Sequence, residues 1–167
     1  MNGVLEDPGN GSWRLRFTRE LAHPPERVWR ALTEPEHQQV WFPDEVEGDW
    51  VLGGKLCFRF KTGDSFDGEV LALDPPRLLE FSWGPDTIRI EVAERPGGST
   101  LTLLDTIREQ GKAARDAAGW HECLDRLVAD LDGRPVPPPG EPWKRVHPGY
   151  VAAFGPAAAT VGPPAGY

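Results

Sequence analysis

His121 and Asp105 are the residues of this 167-residue chain whose type and setting could support acid–base chemistry. His121 follows Trp120 in a run with helical spacing, where a neutral imidazole near the inner face could orient or protonate a ligand. A boundary histidine with a hydrogen-bonded ring would have the same spacing. Asp105 shares its alternation with Leu101 and Leu103, so its carboxyl is expected to point inward, where burial raises a pKa into a range useful for proton transfer. The competing expectation is a strand end turned to solvent. Thr106 would add a hydroxyl beside it. Little else converges. Cys57 has the opposite parity to Phe58, and Cys123 lies two positions from His121, about 200° around a helix. No CxxC, HxxxH or HExxH spacing occurs, so no metal site is expected, and two cysteines fit reduced thiols rather than a disulfide framework. His23, His37 and His147 are isolated and expected to be solvated. Asp44, Glu45, Glu47 and Asp49 lack the regular ligand pattern of a calcium loop and read as a solvated acidic loop. Gly53-Gly54 has neither dinucleotide nor P-loop context, and no GxSxG elbow is present, so the sequence calls for no cofactor.

The elements that must position these groups follow from periodicity. Trp13, Leu15, Phe17 and Leu21 alternate with Arg14, Arg16, Thr18 and Glu20, the pattern of a half-buried strand. Val28, Trp29 and Leu32 recur at helical spacing after Pro24-Pro25, giving a short helix over about 24–33 that Pro35 ends. Glu36 to Phe42 is helical or irregular. Five short strands follow, at Lys55–Lys61, Phe66–Leu73, Arg77–Trp83, Thr87–Ala93 and Ser99–Ile107. Gly53-Gly54, Thr62-Gly63-Asp64, Pro75-Pro76, Gly84-Pro85 and Pro96-Gly97-Gly98 supply the turns of an antiparallel meander. Across Lys112–Asp132 the period becomes 3.6, with Ala113, Ala117, Trp120, Leu124, Leu127 and Leu131 on one stripe, and Gly133 and Pro135 stop the helix. The order is α+β, a curved antiparallel sheet closed by its last helix.

Composition bounds the function. Apolar residues make up 39% and charged residues 26%, a globular balance with no apolar run long enough for a membrane helix. The 19 Gly and 18 Pro are turn chemistry in the body and crowd again beyond Gly133. That tail is net basic, with Arg134, Lys144 and Arg145 against Glu141, so the body is more acidic than the whole-chain charge of −8. An acidic body argues against a phosphate backbone as partner. The first residues lack a basic and then apolar leader pattern, which makes a cytoplasmic location the expectation.

Three stretches carry a resemblance. Pro25-Glu26-Arg27-Val28-Trp29-Arg30-Ala31-Leu32-Thr33 is one, and Asp67-Gly68-Glu69-Val70 through Asp74-Pro75-Pro76-Arg77-Leu78 and Phe81-Ser82-Trp83 is another. With Gly119-Trp120-His121-Glu122-Cys123-Leu124-Asp125-Arg126-Leu127, they resemble the family of homologues of the activator of the ninety-kilodalton heat-shock ATPase, within the START-like, helix-grip (SRPBCC) superfamily. The likeness covers about 13–133. It implies a sheet of six or seven antiparallel strands wrapped around a long C-terminal helix, with a cavity that superfamily members use for lipids, polyketides, hormones or other apolar molecules. Some members are aromatases and cyclases.

These observations set the expectations. A helix-grip domain spans 12–133, a Pro-rich segment with a short docked helix spans 134–155, held by Trp143, Tyr150 and Phe154, and 156–167 forms a mobile tail. The chain is expected to be a binding module, not primarily an enzyme, that encloses a small apolar or aromatic molecule between sheet and helix. Phe58, Phe60, Val70, Phe81, Trp83, Ile90, Leu103, Asp105, Trp120, His121 and Leu124 would line that site, although the same stripes would equally fill a core. A cyclase-, aromatase- or hydrolase-like enzyme using polar groups of the same cavity is the first alternative. A protein that engages a chaperone or regulator is the second. Neither nucleic acid nor membrane is an expected partner, and a homodimer stays open.

Overall fold

The computed structural model describes residues 2–42, 45–60 and 63–164. Eight strands build one antiparallel sheet: β1 (Val4–Glu6), β2 (Trp13–Leu21), β3 (Glu45–Glu47), β4 (Lys55–Arg59), β5 (Ser65–Asp74), β6 (Leu78–Trp83), β7 (Asp86–Arg95) and β8 (Gly98–Ile107). Their spatial order is β1-β2-β8-β7-β6-β5-β4-β3. The meander from β3 to β8 thus runs in sequence order, and β2 closes it by pairing with β8 from Trp13↔Ile107 to Leu21↔Ser99. Helices α1 (Pro25–Thr33) and α2 (Pro35–Trp41) fill the crossover, α3 (Ala113–Leu131) is the long helix, and α4 (Glu141–Phe154) follows it. None of the described helices is long and apolar enough to cross a membrane.

Local chemistry sets the boundaries. Glu34 is extended because it precedes Pro35, which ends α1 and supplies the first residue of α2. Gly133, at φ 63, closes α3 in a left-handed turn, with the Arg134 N–H donating to the Ala129 carbonyl at 2.9 Å. Along β8 the inward residues Leu101, Leu103, Asp105 and Ile107 are all buried, and β7 does the same with Asp86, Ile88, Ile90 and Val92. Facing them, α3 buries Ala113, Ala117, Trp120, Leu124 and Leu127. Gly68 lets the sheet close here, since a Cβ would stand 2.5 Å from the Ser82 carbonyl oxygen and 2.6 Å from the Phe58 ring.

Several expectations are refined. The edge strands β1 and β3 have three residues each, too few to carry an alternation that sequence can reveal. The strand expected to reach Lys61 ends at Arg59, and Lys61 itself lies outside the described residues. The tail is more structured than its composition suggests. α4 has 14 residues and buries Trp143 and Tyr150, each worth about 1.5–3 kcal/mol removed from water. The mobile segment expected from 156 meets a docked one instead: Ala158 is fully buried and the Val161 N–H donates to the Gly111 carbonyl at 3.0 Å. Gly111 permits this approach because a Cβ there would collide with Thr160. Tyr167 lies outside the described residues.

Candidate functional site

Three groups of side chains occupy the space between sheet and helices. The first is aromatic. Phe58 on β4, Phe66 on β5, and Phe81 and Trp83 on β6 project toward Phe42 at the end of α2 and Trp120 on α3. Trp83 is the junction, with ring centroids 4.4 Å from Phe66, 4.8 Å from Phe58, 5.3 Å from Phe42 and 5.5 Å from Trp120. Most of these contacts are tilted or edge-on, the arrangement that ring quadrupoles favour. Phe58, Phe81 and Trp120 are buried, whereas Phe60, Phe66, Trp83 and Trp50 are half-buried and carry the cluster toward the surface. The exposed Val51 and Leu52 follow Trp50 in the loop before β4.

The second group is polar and buried beside the first. Asp105 is 1% exposed, and its Oδ2 accepts the Trp120 indole N–H at 2.8 Å. Its Oδ1 has no hydrogen-bond partner among the described residues. Asp86 is buried as well, ion-paired to Lys112 through Oδ2 and with Oδ1 unpartnered among the described residues. Lys112 also lies 3.4 Å from Asp116. Arg115 holds Asp116 at 2.9 Å as well, so two cations serve these two carboxylates, and a third carboxylate, Asp105, stands close by. Burial first, then the Asp116 and Asp86 charges, push the Asp105 carboxyl well above the usual carboxylate range, against the Trp120 N–H and Lys112. Asp116 is raised by burial too, while burial opposes the Lys112 ammonium and the surrounding carboxylates more than offset it.

The third group lies at the other end of the sheet. The Tyr150 hydroxyl on α4 accepts the Gly3 N–H at 2.8 Å and is 2.8 Å from His121 Nδ1. His121 Nε2 stands 3.5 Å from Asp125. Burial lowers the His121 pKa, with Arg19 and Arg145 adding to the effect and Asp125 opposing it. The hydroxyl-to-imidazole contact thus suits a neutral ring. Arg19 projects inward from β2, buried with Nη2 unpartnered among the described residues. Beside them, Glu122 accepts the N–H groups of Gly140 at 2.6 Å and Trp143 at 3.3 Å, a carboxylate at the positive end of α4. This group docks α4 onto the body.

Of the residues the sequence singles out, Phe58, Val70, Phe81, Ile90, Leu103, Asp105, Trp120 and Leu124 are buried in the space between sheet and helix, with Trp83 and Phe60 at its rim. Phe60 lies just past the end of β4, its ring 5.4 Å from Phe66. His121 is buried but faces α4, and no hydrogen bond joins it to Asp105, so the two candidates for acid–base chemistry do not meet. Two depressions lie elsewhere among the described residues: a groove of about 660 Å³ between the start of α1, the Pro75-Pro76 turn and β7, and a smaller one of about 220 Å³ at the β7–β8 turn. Sequence reasoning overlooked Asp86 and Arg19, although parity with Ile88 and Ile90, and with Leu15 and Phe17, marks both as inward-facing. Phe42, Trp50 and Lys112 had no such signal, because loops and a separate helix bring them in.

The cysteines Cys57 and Cys123 are free. In the acidic loop, Glu45 and Glu47 are exposed on β3, Glu47 pairs with Arg59 at 2.9 Å, and Asp44 lies outside the described residues. Among the described residues, the closest grouping of potential metal ligands is Glu34, Glu36 and His37 at the α1–α2 junction, where His37 Nδ1 is already 2.9 Å from Asp130.

Residues 22–132 match the family profile described as Activator of Hsp90 ATPase homolog 1-like protein. A conserved protein of unknown function from Enterococcus faecalis superposes with a TM-score of 0.78 at 19% identity, covering 91% of this chain and 90% of its own. The crystal structure of CalU16 from Micromonospora echinospora gives 0.67 at 26% identity over 86% of this chain and 88% of its own. An AHSA1-like protein from Aeromonas hydrophila, solved in solution, gives 0.62 at 22% identity over 72% and 94%. No curated protein matches the sequence.

Proposed function

From a chain that belongs to the Activator of Hsp90 ATPase homolog 1-like family, we propose a small-molecule binding module that takes an apolar or aromatic ligand among the rings between the sheet and α3. The observation that carries this reading is the aromatic cluster. Phe42, Phe58, Phe60, Phe66, Phe81 and Trp120 converge on Trp83, and the cluster runs from a buried end at Trp120 to a half-buried end at Phe66 and Trp50. A core needs only volume and apolarity. Rings that reach the surface also offer flat faces for a planar guest, and each aromatic pair adds about 0.5–1.5 kcal/mol beyond its area. Binding among these packed rings requires ring movement, and Trp83, Phe66 and Trp50 are the half-buried rings through which a guest would enter.

An acid–base enzyme built on His121 and Asp105 finds no support in the geometry, because these side chains serve separate clusters. The test of binding is titration of the purified chain with the apolar fluorophore N-phenyl-1-naphthylamine, read as energy transfer from tryptophan. Saturable one-to-one binding that weakens in Trp83→Ala supports the module. Absence of saturable binding, or binding unaltered by Trp83→Ala and by Phe66→Ala, overturns it.

A further inference from the structure

Trp120 joins the aromatic cluster to the buried acids, and that junction has an unused polar atom. Its indole is 5.5 Å from Trp83 and 6.0 Å from Phe42, while its N–H is spent on Asp105 Oδ2 at 2.8 Å. Asp105 Oδ1, buried at the same junction, is unpartnered among the described residues. A buried polar atom left unpaired costs about 1–3 kcal/mol, so its presence beside a ring cluster calls for an explanation. We propose that Asp105 is the polar determinant of the ligand site: with Oδ2 anchored by Trp120, it presents Oδ1 to a carbonyl or phenolic oxygen carried by an aromatic ligand. This rests on the binding function proposed above and names the ligand's chemical class.

The direction of the hydrogen bond follows from the surrounding charges. The charges that act on Asp105 come from Asp116 in the first turn of α3, Asp86 on β7 and Lys112 before α3. Lys112 pairs with Asp86 and lies 3.4 Å from Asp116, which Arg115 also holds at 2.9 Å, and among the described residues no ion pair joins either cation to Asp105. Burial, then the Asp116 and Asp86 charges, favours the neutral form of Asp105. Its Oδ2 receives the indole N–H, which places the proton on Oδ1 and makes that atom a donor. Its complement is an acceptor oxygen, and a buried carboxylic acid held neutral by apolar surroundings is suited to donate to one.

The probes are 2-acetylnaphthalene and its hydrocarbon counterpart 2-ethylnaphthalene, titrated by tryptophan quenching into the wild-type chain, Asp105→Asn and Asp105→Leu, with circular dichroism establishing that each variant is folded. The wild type should bind the ketone about 10-fold tighter than the hydrocarbon, the worth of one otherwise unpaired hydrogen bond. Asp105→Asn should retain that preference, because its amide oxygen can receive the indole N–H and its NH2 can donate. Asp105→Leu should lose the preference while still binding the hydrocarbon. Equal binding of the two probes to the wild type, a preference that survives Asp105→Leu, or one lost in a folded Asp105→Asn overturns this inference alone. Failure of both probes to bind any of the three chains overturns the binding function as well.

Discussion

Replacing Asp105 by Asn should stabilise the chain by an amount that grows with pH. The side chain is 1% exposed, and burial, then the Asp116 and Asp86 carboxylates, push its pKa well above the ordinary value. The native state therefore keeps a proton that the unfolded chain releases above about pH 4. Between the unfolded and folded pKa values the native chain binds more protons, so stability falls as pH rises, by up to ~1.4 kcal/mol per pH unit for this one group. Asparagine keeps the shape, receives the Trp120 N–H and has no proton to lose. The difference in unfolding free energy between Asp105→Asn and wild type should be small near pH 4, widen in favour of Asn as pH rises, and level off above the folded pKa. Asp116 is raised in the same direction but is present in both chains, so its contribution largely cancels in the comparison. Urea unfolding followed by tryptophan fluorescence from pH 4 to 9 measures the difference, with equal m-values confirming that the two unfolding reactions are comparable. A difference that stays flat across that range would mean that Asp105 titrates alike in both states, and the argument for a neutral buried acid would fail.

Glu122→Ala leaves the Gly140 and Trp143 N–H groups without their acceptor, at about 1–3 kcal/mol each. Hydrogen exchange should accelerate over α4 while β6 to β8 stay protected, and unchanged protection of α4 would refute the capping role. Tyr150→Phe keeps the ring against Phe17 and Phe154 but removes the hydroxyl shared by Gly3 and His121, so the urea midpoint should fall by an equivalent of about 1–2 kcal/mol. No loss would mean that the hydroxyl contributes nothing to docking. The Cys123 thiol is pushed up to about 12 by burial, with Glu122 adding to the effect. Iodoacetamide at pH 8 should therefore modify Cys57 and spare Cys123 in the native chain, as read by peptide mass spectrometry; faster labelling of Cys123 would contradict that environment.

Much of the scaffold was legible because alternation and helical repeat are local properties. Leu101, Leu103 and Asp105 declare one strand face, Ala117, Trp120 and Leu124 declare one helix face, and the Gly and Pro turns between them dictate an antiparallel meander. The same parity places Asp105 inside, and the structure agrees. It also marks Asp86 and Arg19 as inward-facing, a signal easily passed over when charged residues are assigned to the solvent by type. The three-residue edge strands and the docking of residues 156–161 carry no such periodic signal, since each depends on a partner distant in sequence.

The sequence alone determined which faces are apolar, where the chain turns and which acid lies among hydrophobic neighbours. Tertiary structure decided what those faces meet. His121 and Asp105 both lie close to one helix stripe, yet α4 claims the first through Tyr150 and Trp120 claims the second. Only packing brings Lys112 between Asp86 and Asp116 and leaves Asp105 with no ion pair among the described residues, because the strength of an electrostatic interaction depends on distance and burial, neither of which a linear pattern contains.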